Sequence, residues 1–164
     1  VALTLFTDTF LSLEDANLYN AGDPAWAAAT IPEKEEALRN ATFALNDHRW
    51  LSTAVLSTQP LSWPRATFSF YDPGLNLWVE CLASSVPLRL KQAVSNLAKH
   101  YVRYPEAVRG YDSSYDRIKL GPLEVEDSDI ASKVPSVPYF GVESLLEPLL
   151  ATSSAARYIW WRAN

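Results

Sequence analysis

Apolar and polar positions along the chain separate into three kinds of stretch. Around Ser12-Leu13-Glu14-Asp15, an N-capping residue precedes an early acidic turn, and a short helix is predicted from Leu13 to Tyr19, ending near Gly22. Asp23-Pro24 breaks the chain, and Trp26 with three alanines reads as a compact apolar turn. Thr30-Ile31-Pro32-Glu33 then has capping-box spacing with proline close to the helix start. In the helix that follows, Ala37, Leu38, Ala41, Ala44 and Leu45 recur at helical spacing with charged residues mostly between them, so one face is expected to be buried up to about His48.

The periodicity then fails. Residues 51–87 hold polar residues, several prolines and the aromatics Trp63, Phe68, Phe70, Tyr71 and Trp78, which reads as a long irregular loop pinned by aromatics and lying partly against a partner or the core. Val86-Pro87 starts a second long helix, with Leu90, Val94, Leu97 and Tyr101 as its apolar stripe and Pro105 at its end. Its basic residues either contact acidic neighbours or form a solvated face.

Residues 116–127 return to alternation on either side of Gly121-Pro122 and read as two short strands around a turn or bulge. A last helix is expected from Val142 to Leu150, kinked or shortened by Pro148. The expected fold is therefore mainly α. It is a small helical bundle spanning 1–151, with a long loop at 51–87, a short β-hairpin insertion at 116–127, and an extended C-terminal tail at 152–164.

Composition narrows the function. The 164 residues are 48% hydrophobic and 20% charged, which suits one folded domain with a sizeable core. Nineteen acidic residues against fourteen basic ones leave a net charge of -5, which disfavours non-specific binding to a phosphate backbone. Cys81, the single cysteine, cannot pair within the chain and reads as a small buried hydrophobe in a reducing cytoplasm. No apolar run suits a membrane span or a signal peptide, so neither a membrane partner nor export by that route is expected. Methionine is absent, so Val1 is not expected to be the translation start.

Candidate chemistry is sparse. The chain has no phosphate-cradling glycine loop, no paired metal-binding histidines and no nucleophile elbow, so neither an enzyme nor a cofactor or metal site is expected. His48 and His100 each close a helix, where a cation is favoured. The sequon Asn40-Ala41-Thr42 sits inside a predicted helix and is discounted. Glu124, Glu126, Asp127 and Asp129 form an acidic strip, read either as a solvated strand face or as a surface that repels passing DNA or holds a cation.

The C-terminal run Arg157-Tyr158-Ile159-Trp160-Trp161-Arg162 follows a small-residue linker and would expose much apolar surface unless covered. It either folds back onto its own domain or docks on another chain, and Trp, Tyr and Arg are the types that dominate interface hot spots.

Several segments together are similar to tailed-bacteriophage head-tail connector or adaptor subunits, often labelled DnaT-like single-stranded-DNA-binding proteins. The resemblance rests on the run from Glu33 to Thr42, Trp50, Gln59-Pro60-Leu61-Ser62-Trp63-Pro64-Arg65, Val86-Pro87 with Leu90-Lys91-Gln92-Ala93, the run from Leu120 to Glu126, and Val142 to Leu150. Trp63-Pro64-Arg65 is its most specific part, and with Trp50 it is taken as a structural motif. The segment from Ala66 to Trp78 and the Tyr158 to Trp161 ending depart from the family pattern.

The resemblance implies a homo-oligomeric ring, commonly twelve subunits, in the virion neck after assembly in the host bacterial cytoplasm. It implies contacts with the portal protein and with tail or other neck proteins, and double-stranded DNA passing without specific binding. On this reading Arg157 to Arg162 bind the portal or a neighbouring subunit, and the acidic strip faces the channel. The alternative is a single-stranded-DNA-binding module in which bases stack on aromatics near Arg65, Arg103 and Arg157.

Overall fold

The computed structural model describes residues 3–109, 118–119, 124–125 and 138–151. Helix α1 (Leu13–Tyr19) starts where the Ser12 hydroxyl accepts a hydrogen bond from the Asp15 amide, 3.1 Å. The stretch after Asp23, expected to be a turn, is a five-residue helix, α2 (Pro24–Ala28). Its N-cap Asp23 accepts from the Trp26 amide at 2.9 Å, and Pro24 sits at the first helical position, where a missing N–H costs nothing. The Trp26 indole donates to the Asn17 side-chain oxygen Oδ1 at 2.9 Å, tying α2 to α1.

Helix α3 (Ile31–Asn46) begins with the predicted capping box, the Thr30 amide donating to the Glu33 carboxylate at 2.7 Å. Its buried face comprises Ala37, Leu38, Ala41, Thr42 and Leu45. Ala44, expected on that face, is exposed. Thr42 takes the place because its hydroxyl has partners inside: the Thr9 hydroxyl at 3.2 Å and the Phe10 amide at 3.3 Å. A buried hydroxyl is tolerated when it is hydrogen-bonded, and here it fastens the N-terminal segment to α3. That burial also leaves the sequon threonine inside the core.

The segment 51–87 is not irregular throughout. It contains an antiparallel hairpin, β1 (Phe68–Asp72) and β2 (Leu77–Cys81), with Phe68 opposite Cys81 and Tyr71 opposite Trp78. Asp72-Pro73-Gly74 makes the turn, and Asn76 adopts the left-handed backbone (φ 54°) that asparagine accepts more readily than most residues. Helix α4 (Leu88–Arg103) follows and is the centre of the bundle, packed against α3 on one side and the last helix on the other. The predicted stripe Leu90, Val94, Leu97 and Tyr101 is buried, joined by Ala93, Ser95 and Ala98.

A 3-10 turn (Pro105–Arg109) closes this part. Within the expected β insertion, β3 (Ile118–Lys119) pairs antiparallel with β4 (Glu124–Val125), Lys119 standing opposite Glu124. Helix α5 (Pro138–Leu146) starts and stops earlier than expected, and Glu147–Leu149 form a 3-10 turn. Pro148 has no amide to continue the α ladder and its ring would meet the carbonyl four residues back, so the α-helix ends before it. The chain then runs beside the segment after α3: Leu51 donates to the Leu149 carbonyl at 2.9 Å and Ala151 to the Arg49 carbonyl at 2.7 Å.

Among the described residues the architecture is thus five α-helices with small antiparallel strand pairs. Among the described residues no helix is long and apolar enough to cross a membrane.

Candidate functional site

Two adjoining surfaces follow α3. The first is a loop folded inward around the Trp-Pro-Arg motif. Trp63 has no exposed surface, and Trp50 is also buried, their rings meeting edge to face at 5.7 Å. The stack continues through Phe68 at 6.0 Å and Phe70 at 6.1 Å, so aromatic packing runs unbroken from the loop into the inner face of the hairpin. The peptide between Trp63 and Pro64 is cis.

Arg65 closes the loop with its planar fork of donors. Its Nε donates to the Leu51 carbonyl at 2.7 Å and Nη1 to the Ser62 carbonyl at 2.9 Å, while Nη2 donates to the Ser52 carbonyl. One guanidinium therefore satisfies three backbone acceptors that no strand or helix would reach, a geometry that lysine's point charge cannot reproduce. Gln59 adds donations to the carbonyls of Leu61, 2.7 Å, and Pro64, 3.0 Å.

The second surface is the hairpin. Its pleat turns Phe68, Phe70, Asp72, Val79 and Cys81 inward and Ser69, Tyr71, Trp78 and Glu80 outward. Trp78 is 71% exposed and Tyr71 43%, their rings 6.0 Å apart, and Leu75 and Leu77 extend the apolar surface around the turn. Single exposed apolar residues are ordinary, and it is the grouping of a tryptophan and a tyrosine that makes this face the candidate interaction surface.

Asp72 holds this hairpin on the helical body. Its carboxylate accepts from the Gly74 amide at 2.8 Å and the Leu75 amide at 3.1 Å, shaping the turn, and from Arg89 Nε at 2.7 Å in a bidentate pair with α4. The Arg89 guanidinium, helped by the two amides, outweighs burial and holds the Asp72 carboxyl at about 2, while Asp72 pushes Arg89 upward. Both members stay charged. Cys81 behaves oppositely, burial pushing its thiol up and leaving it protonated.

On the α1 and α2 side of the body, Arg103 pairs with Asp23 at 2.6 Å and Lys91 with Asp15 at 3.1 Å. Among the described residues no cluster of His, Cys, Asp and Glu could hold a metal ion.

Of the residues singled out in the sequence, the structure brings Trp50, Trp63, Pro64 and Arg65 together in one loop. Arg157, Tyr158, Ile159, Trp160, Trp161 and Arg162 lie outside the described residues, as do Glu126, Asp127 and Asp129, and Glu124 is placed only by its backbone in β4. Sequence reasoning missed the role of Asp72 and Arg89 and the outward pairing of Tyr71 with Trp78. The signals were Asp-Pro-Gly between two aromatic, alternating runs and an arginine one position past the helix start.

Residues 6–163 match the profile of a family described as "Putative DnaT-like ssDNA binding protein". The chain belongs to this family. The match covers the loop around Trp63, the hairpin and the C-terminal run alike, so none of these is an appendage to the DnaT-like family's region. No curated protein and no solved structure matches the chain.

Proposed function

We propose that this DnaT-like chain is a non-enzymatic assembly subunit: a structural component of a bacteriophage head-to-tail connector ring, seated beneath the portal, joining capsid to tail and letting DNA pass. The observation that carries this reading is the hairpin's outward face. Tyr71 and Trp78 are presented there beside the acid Glu80, and Arg89, the cation that holds the hairpin on α4, is locked on Asp72. Apolar aromatics with an acidic neighbour suit a protein surface, here that of an adjacent copy in the ring, better than a phosphate backbone. The net charge of -5 points the same way. A closed ring needs one patch to meet a different patch on the next copy, and a projecting hairpin supplies such a patch.

Mixing the full chain with the portal and imaging by electron microscopy tests this. Decorated portals are expected, and a chain that stays monomeric and never decorates them overturns it.

The second reading, a single-stranded-DNA-binding module, is favoured by the family's description. Trp78 and Tyr71 would then be stacking platforms. That reading requires oligonucleotide binding that falls steeply with salt and weakens in Trp78→Ala. Absence of binding at low ionic strength removes it.

A further inference from the structure

A groove of about 490 Å³ opens between α2, the N-terminal half of α3, and the junction of α4 with the 3-10 turn after it. Its lining includes the small apolar residues Ala25, Ala28 and Ala37 together with Tyr101, Val102 and Val108. The charged residues lining it are both acids, Glu33 and Glu36, on one face of α3. The Glu33 carboxylate is held below its usual range by the Thr30 amide and hydroxyl, so it is anionic at neutral pH. Glu36 is exposed and has no ion-pair partner among the described residues. An alanine-rich lining leaves room for large side chains, and its two acids select a cationic flank.

One segment of this chain has that chemistry. Arg157 to Arg162 places Tyr158, Ile159, Trp160 and Trp161 between two arginines. The geometry points to this groove as the receptor for residues 157–162 of a neighbouring copy, the aromatics filling the space over Ala28 and Ala37 and an arginine meeting Glu36.

The groove lies toward the opposite end of α3 from the point where Ala151 is held. Ala151 is hydrogen-bonded to Arg49, beyond the C-terminal end of α3, whereas Glu36 lies roughly ten residues, or about 15 Å of helix axis, before that end at Asn46. The linker 152–156 spans at most about 18 Å when fully extended. Residues 157–162 extend that reach further, so length leaves the chain's own groove accessible, and it is the head-to-tail contact of a closed ring that selects the neighbour.

This inference rests on the ring-subunit reading and gives the C-terminal run a place in that ring. The test is disulfide trapping in the full chain carrying Ala28→Cys and Ile159→Cys, under mild oxidation; Cys81 is buried and does not compete. A ladder of covalent oligomers on non-reducing gels is expected, absent with Ser57→Cys in place of Ala28→Cys. Glu36→Arg should slow trapping roughly two- to fivefold, and adding Arg162→Glu or Arg157→Glu should recover it, the size expected of one exposed ion pair. A cross-linked monomer would show the tail in its own groove and overturn the proposal, as would no cross-link at all. The same samples are imaged with the portal: decorated portals without a ladder discard the socket but keep the ring subunit, while monomers that decorate nothing discard both.

Discussion

The loop around Trp63 and the hairpin that follows it are neighbours in sequence and rich in the same aromatic residues, yet they use them in opposite ways. In the loop, Trp63 is wholly enclosed by Trp50 and Phe68, and Arg65 donates inward to three backbone carbonyls. In the hairpin, Trp78 and Tyr71 face out, and the charged pair Asp72 and Arg89 fixes the strands to α4. Residue type alone does not decide whether a tryptophan builds a core or an interface. The pleat decides it, because alternate strand positions point to opposite faces.

Breaking the enclosed side should cost most. Trp63→Ala is expected to destabilise the fold by about 3 to 5 kcal/mol in urea unfolding, from lost burial plus the cavity left behind. Trp63→Phe should cost much less, because the buried Trp63 Nε1 has no hydrogen-bond acceptor among the described residues and phenylalanine removes that unpaired donor. An alanine cost near zero would show that the loop is not part of the core.

Cutting the joint between the two regions comes next. Asp72→Asn should cost about 2 to 4 kcal/mol, since it leaves Arg89 largely buried with no counter-charge. Because the folded carboxyl is depressed to about 2 from the usual 3.8, its contribution is fully present above pH ~4 and is lost as pH falls toward 2. Wild-type stability should therefore drop across that window, and Asp72→Asn should lack this component. Gly74→Ala should strain the same joint, as an added methyl would come within 2.9 Å of the Arg89 guanidinium.

Arg65→Lys should cost about 1 to 2 kcal/mol, because an ammonium cannot serve three separated carbonyls at once. Trp78→Ala should change stability by less than about 0.5 kcal/mol, as surface substitutions usually do, while weakening assembly on the portal. The comparison collapses if Trp78→Ala unfolds the chain as readily as Trp63→Ala.

Much of the helical frame was legible in the sequence. Capping boxes, proline punctuation and 3.6-residue periodicity are local signals, and α1, α3 and α4 start within a residue or two of where those signals place them. The β1–β2 hairpin was not legible in the same way. Prolines on both sides suggested irregular chain, and two strands of five residues carry too little periodicity to outweigh them. The exchange of Ala44 for Thr42 on the inner face of α3 was also hidden, because it depends on Thr9 and Phe10, more than thirty residues away.

By itself, then, the sequence determined the long helices, the acidic balance, the absence of recognisable catalytic motifs and the aromatic motif at Trp63. Those properties follow from neighbouring residues or from composition. Only the tertiary structure decided that Arg65 would be spent on backbone carbonyls, that Asp72 would meet Arg89, and that Tyr71 and Trp78 would be left facing outward. The physical reason is that each of these depends on what a distant segment brings into contact: a donor finds acceptors, a charge finds its partner, and a strand shows one face to the core and the other to whatever binds next.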